Sequence, residues 1–146
     1  MELSVKQVRE VTGPLLEAFA RLMPQLSPRL EAPSAARLQA IVESPSAALF
    51  AAEAERGIRG LLTLVWYDVP SGRKAWIEDV VVDAEARGTG AGRALVAAAL
   101  EHAAVIGAGK VLLTSNPARE AARALYRKMG FEEAATTVFA IKTDAK

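Results

Sequence analysis

Arg87-Gly88-Thr89-Gly90-Ala91-Gly92-Arg93 places three glycines within five residues, between an apolar run ending in Val80-Val81-Val82 and a segment of helical periodicity. Glycine allows backbone angles that side chains forbid and lets a ligand come close to the main chain. A helix starting at Gly90 points unpaired amides and the positive end of its dipole at one spot. Arg87 and Arg93 add positive charge on either side. Together they form a cradle for a diphosphate. Two nucleotide patterns fail on spacing. The Walker pattern ends in Gly-Lys-Ser/Thr, whereas this turn continues Gly92-Arg93-Ala94. The dinucleotide pattern needs a third glycine where Arg93 stands, counting from Gly88 and Gly90, and it opens a βαβ unit. Here the turn follows a strand of a meander.

Upstream of the turn the chain reads as strands. Ala47–Ala52 is a short apolar run, and Ile58–Tyr67 a longer one ending at the turn signal Asp68-Val69-Pro70-Ser71-Gly72. Lys74–Asp83 completes two successive hairpins. Further back, Leu3–Val8 alternates as a first strand. Thr12, Gly13 and Pro14 open a helix with Leu15, Leu16, Phe19 and Met23 on one face, which Pro24 and Pro28 are expected to break. A second short helix after Ser34 carries Leu38, Ile41 and Val42. Downstream, Leu95, Ala99, Ala103 and Ile106 form one helical stripe, stopped by Gly107 and Gly109. Lys110–Thr114 is a short strand. Asn116 is expected to cap a helix with Pro117 in its first turn, running to about Met129. Two strands, near Phe131 and over Thr136–Ile141, finish the chain. The expected order is βααβββαβαββ, an α/β domain with a mixed central sheet flanked by helices, spanning residues 1–146 as one domain.

Composition narrows the chemistry. A chain of 146 residues, 51% hydrophobic, supports one real core. It has no cysteine, which excludes disulfide scaffolds, thiol catalysis and cysteine–zinc sites. A single histidine, His102, argues against a histidine metal site or a serine–histidine triad, so no metal is expected. The net charge of +1 provides no field of one sign to recruit nucleic acid or an anionic membrane. The most apolar stretch, Ala91–Ala108, is interrupted by Arg93, Glu101 and His102, and the first ten residues lack a basic-then-apolar leader. A cytoplasmic protein is expected.

The string VVVDAEARGTGAGRALV, with Arg-x-x-Gly-x-Gly after a valine run, resembles the coenzyme A signature of the GNAT N-acetyltransferase superfamily. The later ALYRKMGF resembles that family's second hallmark, an alanine and a tyrosine on a helix before Gly-Phe. The likeness follows the element order over residues 47–141 and is close over 77–96 and 114–131. Two motifs in this order, separated by a helix and a strand, are a far more specific signal than a glycine loop alone.

The resemblance implies a GNAT fold in which acetyl-CoA lies where two parallel strands splay apart, with no metal. Val80, Val81 and Val82 would offer main-chain groups to the pantetheine arm and the thioester carbonyl. The turn Arg87, Gly88, Thr89, Gly90, Ala91, Gly92 and Arg93 would hold the pyrophosphate. Asn116 and Tyr126 would approach the pantetheine from its other side. The implied reaction is attack of an amine, of a small molecule or a protein, on the thioester. Tyr126 is the candidate acid for the departing thiolate, since a phenol of pKa about 10 can donate in a water-poor site. Glu78 is the candidate base, acting through water. Strict alternation puts Glu78 on the face of Val80 and Val82, opposite Asp79, and a bulge would reverse that parity. The main alternative is a non-catalytic CoA-binding or sensor domain of the same fold. Relatives that pair through C-terminal strands make Thr136–Ile141 a candidate homodimer edge, without requiring it.

His102 reads as a helix-edge residue beside the apolar stripe, and Trp66, Tyr67 and Trp76 as packing or rim residues near a hairpin, with the lining of an acceptor pocket as their alternative role. Arg119, Arg123, Arg127 and Lys128 read as a solvated helix face.

Overall fold

Local capping sets where the helices begin. Thr12 Oγ1 accepts the Leu15 amide at 3.2 Å, and Ser34 Oγ accepts the Arg37 amide at 3.1 Å, each satisfying an amide that the first helical turn leaves free. In a computed structural model of the chain, which describes residues 2–145, these caps open helices α1, Gly13–Leu26, and α2, Ala35–Glu43. The strands are β1 Ser4–Gln7, β2 Ala47–Ala54, β3 Gly57–Val69, β4 Gly72–Val82 and β5 Lys110–Leu112. A single 3-10 turn, Ala84–Ala86, leads from β4 into the glycine turn, and helix α3 is Ala91–Val105. Helix α4, Glu120–Lys128, lies in the last part of the chain. Among the described residues the architecture is α/β, with a mixed five-stranded sheet and four helices. Contacts group the residues into two compact units, Met1–Leu113 and Thr114–Lys146.

In the first unit the strands lie in the order β1-β2-β3-β4-β5. All neighbours are antiparallel except β4 and β5, which are parallel. One face of the sheet packs Leu49, Ala51, Leu61 and Val81 against Leu15, Phe19, Leu22 and Met23 of α1 and Leu38 of α2. Leucines buried this fully contribute about 1.5–3 kcal/mol each. The other face receives α3, whose Leu95, Val96, Ala99 and Ala103 are buried. The approach there is close: a Cβ at Gly60 would come within 2.9 Å of Leu95 Cδ1 and 3.2 Å of the Val81 carbonyl oxygen. His102 packs edge-on to Phe50 and tilts against Trp66, with ring centroids 5.6 and 5.5 Å apart, so it serves packing on this face.

Three details depart from the sequence reading. Pro24 does not break α1, which runs to Leu26. A proline mid-helix forfeits one hydrogen bond, to the carbonyl of Ala20, and Ala20 is exposed so water can reach it. The burial of Leu22 and Met23 on the preceding turn holds the helix in place. Asn116 does not cap α4. Its Oδ1 accepts the Ala118 amide at 2.8 Å, a local turn, and the helix starts at Glu120 with Arg119 at the cap position.

The third departure is at the end of the chain. Neither the stretch near Phe131 nor Thr136–Ile141 forms a strand among the described residues, so the order is βααβββαβα. Alternating apolar residues become a strand only when a neighbouring strand takes up the main-chain amides. No such pairing is present, and Val138, Phe139 and Ile141 stand exposed.

Candidate active site

The site begins with a mismatch in length between two parallel strands. β5 pairs with β4 only from Lys74↔Lys110 to Trp76↔Leu112, whereas β4 continues to Val82. Among the described residues no strand pairs with this edge of β4 from Ile77 onward. Main-chain groups along Ile77–Val82 on that side therefore have no strand partner among the described residues.

A bulge lies in the same stretch. The β3–β4 register runs Thr63↔Glu78 and then Leu61↔Val81, so Leu62 alone faces the two residues Asp79 and Val80. Asp79 absorbs the extra residue with φ of 49°, a left-handed conformation rare for side-chain-bearing residues. The bulge reverses the expected parity. Glu78 shares its face with Val81, not with Val80 and Val82. Its carboxyl is pushed above the ordinary carboxylate range, first by partial burial and then by the neighbouring Asp79 charge.

Past β4 the chain is anchored by Asp83, only 3% exposed. Its Oδ2 accepts from Arg59 Nη1 at 3.1 Å and from Arg21 Nη1, and its Oδ1 accepts the Glu85 amide at 3.1 Å. Arg21 also donates to the Ile58 carbonyl at 2.8 Å. Burial pushes the Asp83 carboxyl up, but the Glu85 amide, Arg59 and Arg21 together outweigh it and hold it below the usual range. Gln25 Oε1 takes the Ala84 amide at 2.8 Å, a second tie from α1 to the entry of the turn.

The glycine turn then takes the shape its sequence demands. Gly88 and Gly90 have φ of 81° and 90°, and Gly90 stands at the cap of α3 without a side-chain cap. A Cβ on either glycine would meet nothing within 4 Å, so both face open space. Arg87 and Thr89 spend their amides inside the turn, on the Ala84 and Ala86 carbonyls. The amides of Gly88, Gly90, Ala91, Gly92 and Arg93 have no acceptor among the described residues. Free amides at the start of a helix make a positively polarised arrangement of the kind that binds a diphosphate. Arg87 is exposed, so its contribution there would come from its guanidinium.

In the second unit, Asn116 is exposed and Tyr126 half-buried on α4. The Tyr126 ring lies edge-on to Phe131, centroids 5.9 Å apart, and its carbonyl accepts the Phe131 amide at 2.9 Å. Burial pushes the Tyr126 hydroxyl above its ordinary range, against a smaller opposing effect of Arg119. Arg123 and, at 3.8 Å, Arg127 meet Glu133. Among the described residues there is no cluster of potential metal ligands, and no helix is long and apolar enough to cross a membrane.

Sequence reasoning missed Asp83 and its two arginines as part of the site's framework. Arg21, Arg59 and Asp83 are far apart in the chain and carry no motif among them.

The fold is shared with solved structures, acetyltransferases among them. An aminoglycoside acetyltransferase from an uncultured soil metagenomic sample is 24% identical, with a TM-score of 0.85 over 99% of this chain and 100% of that one. A transcriptional regulator from Bacillus halodurans C-125 is 25% identical, with a TM-score of 0.82 over 97% of this chain and 100% of that one. AAC(6′)-Iy, solved with a bisubstrate analogue joining CoA to monomethyl-acetylneamine, is 22% identical, with a TM-score of 0.78 over 98% of this chain and 99% of that one. No curated protein sequence matches the chain. The profile of the acetyltransferase (GNAT) family matches residues 15–131, and with the parallel strands of unequal length and the glycine turn in place the chain belongs to that family.

Proposed function

We propose that residues 1–146 form one GNAT domain that transfers the acetyl group of acetyl-CoA to a primary amine within a ternary complex. The observation that carries this reading is the continuity of the open β4 edge, Ile77–Val82, with the unpaired amides of the glycine turn. An extended pantetheine arm ending in a diphosphate needs those two features in that order.

The residues divide the work. The amides of Gly88, Gly90, Ala91, Gly92 and Arg93 bind the diphosphate, and Arg87 adds charge. Thr89 shapes the turn through its hydroxyl and amide, both bonded to the Ala86 carbonyl. Val80–Val82 orient the pantetheine through the main chain, and an amide at Val80 or Val81 faces the developing oxyanion. Asn116 contributes a further contact to the pantetheine.

The amine nitrogen forms a bond to the thioester carbonyl carbon while the carbon–sulfur bond breaks. An ammonium, of pKa about 10.4 for an alkyl amine, must first lose a proton. Glu78 accepts it through water, and its raised pKa narrows the gap it has to bridge. Tyr126 returns a proton to the departing thiolate, and burial keeps its hydroxyl protonated until then. The products are an amide, CoA thiol and one proton released to solvent.

The test is calorimetric titration with acetyl-CoA, with ATP and NAD as controls, followed by assays of thiol release with amines. Saturable binding of acetyl-CoA alone, with amine-dependent thiol release, is the expected result. Binding without turnover on any amine would favour the sensor reading. No binding to folded, CoA-free protein would overturn the proposal.

A further inference from the structure

Towards the hairpin end of β4 lies a second arrangement. Glu78, Trp76 and Lys74 alternate with inward-facing Ile77 and Ala75, so the three side chains share one face. The parallel register sets Leu112 beside Trp76 and Lys110 beside Lys74 on that face. On β3, Tyr67 pairs with Lys74, and the Trp76 indole N–H donates to the Tyr67 hydroxyl at 2.9 Å. This bond fixes the two rings relative to each other. The α1–α2 core covers the part of the face around Leu61 and Val81 and does not include these residues. Tyr67, 43% exposed, is open to solvent together with Glu78 and Lys110.

The strip is ordered by charge: a carboxylate, then an apolar middle of Trp76, Tyr67 and Leu112, then two ammonium groups. Neither lysine makes an ion pair among the described residues. Four residues of strand separate Glu78 from Lys74, about 13 Å at roughly 3.3 Å per residue. A lysine side chain that leans along the face shortens that span. A polycation gains one attraction here and meets two repulsions. A molecule with an amine at one end, an apolar body and an anion at the other gains at all three positions.

We propose that this strip is the acceptor subsite, and that the acceptor is an amine bearing a carboxylate roughly 10 Å away, the span of a tripeptide at about 3.3–3.6 Å per residue. The inference rests on the acetyltransferase reading above and names the substrate class for it. Glu78 takes the ammonium, the two rings take an apolar side chain, and Lys74 and Lys110 take the carboxylate.

The experiment compares the tripeptide Gly-Phe-Gly with its C-terminal amide, with phenethylamine and with an aminoglycoside, reading kcat/KM from thiol release. Direct calorimetric titration of each into CoA-saturated protein accompanies the assay. The free acid should exceed the amide and phenethylamine by tenfold or more, and the aminoglycoside should be the poorest. In the Lys74→Glu/Lys110→Glu variant, folding being checked by circular dichroism, the preference should invert towards the amide. Equal values for acid and amide, a preference for the aminoglycoside, no inversion, or no tripeptide binding would each overturn the proposal. A protein that fails to bind acetyl-CoA instead overturns the donor reading, and tripeptide titration into that protein still decides whether the strip recognises the zwitterion.

Discussion

Arg59 Nη1 on β3 reaches Asp83 Oδ2 just past the end of β4 at 3.1 Å, and Arg21 of α1 meets the same oxygen. One nearly buried carboxylate thus ties a helix and a strand to the entry of the glycine turn. Such a group stabilises only while it is ionised, because both partners are permanent cations.

Asp83→Ala removes the nearly buried carboxylate that Arg59 and Arg21 share and should cost about 3 kcal/mol, measured by urea denaturation. The folded pKa of Asp83 lies below its unfolded value of about 3.9, so the unfolded state binds the extra proton. Its stabilisation is present above that unfolded value and is lost as pH falls through the folded one. Wild-type stability should therefore decline more steeply below about pH 4 than that of the Asp83→Asn variant. Parallel acid profiles for the two proteins would contradict the assignment.

Gly90→Glu should abolish acetyl-CoA binding while leaving a folded protein. A Cβ there meets no protein atom, so the harm comes from the φ of 90° and from a negative charge placed where a diphosphate binds. Calorimetry of the variant decides the point, and unchanged affinity would remove the turn from the site.

Glu78→Gln should lower kcat by roughly 10²-fold or more at neutral pH, the scale of a lost general base. A base works deprotonated, so wild-type activity should fall on acidification. The raised pKa of Glu78 shifts that acidic limb above the ordinary carboxylate range. The limb should vanish in the variant. A pH–rate profile with the same limb in both proteins would assign the base elsewhere.

Tyr126→Phe keeps the ring against Phe131 and removes only the hydroxyl. Turnover should drop by about 10²-fold or more with acetyl-CoA affinity changed little, which a comparison of kcat with the calorimetric Kd will show. Equal turnover would leave Tyr126 a packing residue.

The sequence carried much of this because its signals are local. Thr12 and Ser34 cap helices within three residues of themselves, and Gly88 and Gly90 adopt backbone angles that few other residues tolerate. The hairpin at Pro70-Ser71 and the stripe Leu95, Ala99 and Ala103 are also properties of neighbours along the chain. Pro24 and Asn116 misled because local preference was outweighed, in one case by burial of the preceding helical turn and in the other by a shorter turn within the side chain's reach.

The sequence by itself determined the glycine turn, the caps and the two motifs, since each depends on residues a few positions apart. Only the tertiary structure decided which way Glu78 points, because a bulge at Asp79 has no reliable signature before β3 is laid beside β4. It alone brought Arg21 to Asp83 across 62 positions, and set Lys110 beside Lys74. It also left Thr136–Ile141 without a strand partner among the described residues. Pairing, unlike capping, is a relation between distant segments, and the free energy that selects it comes from packing and hydrogen bonds that no single segment contains.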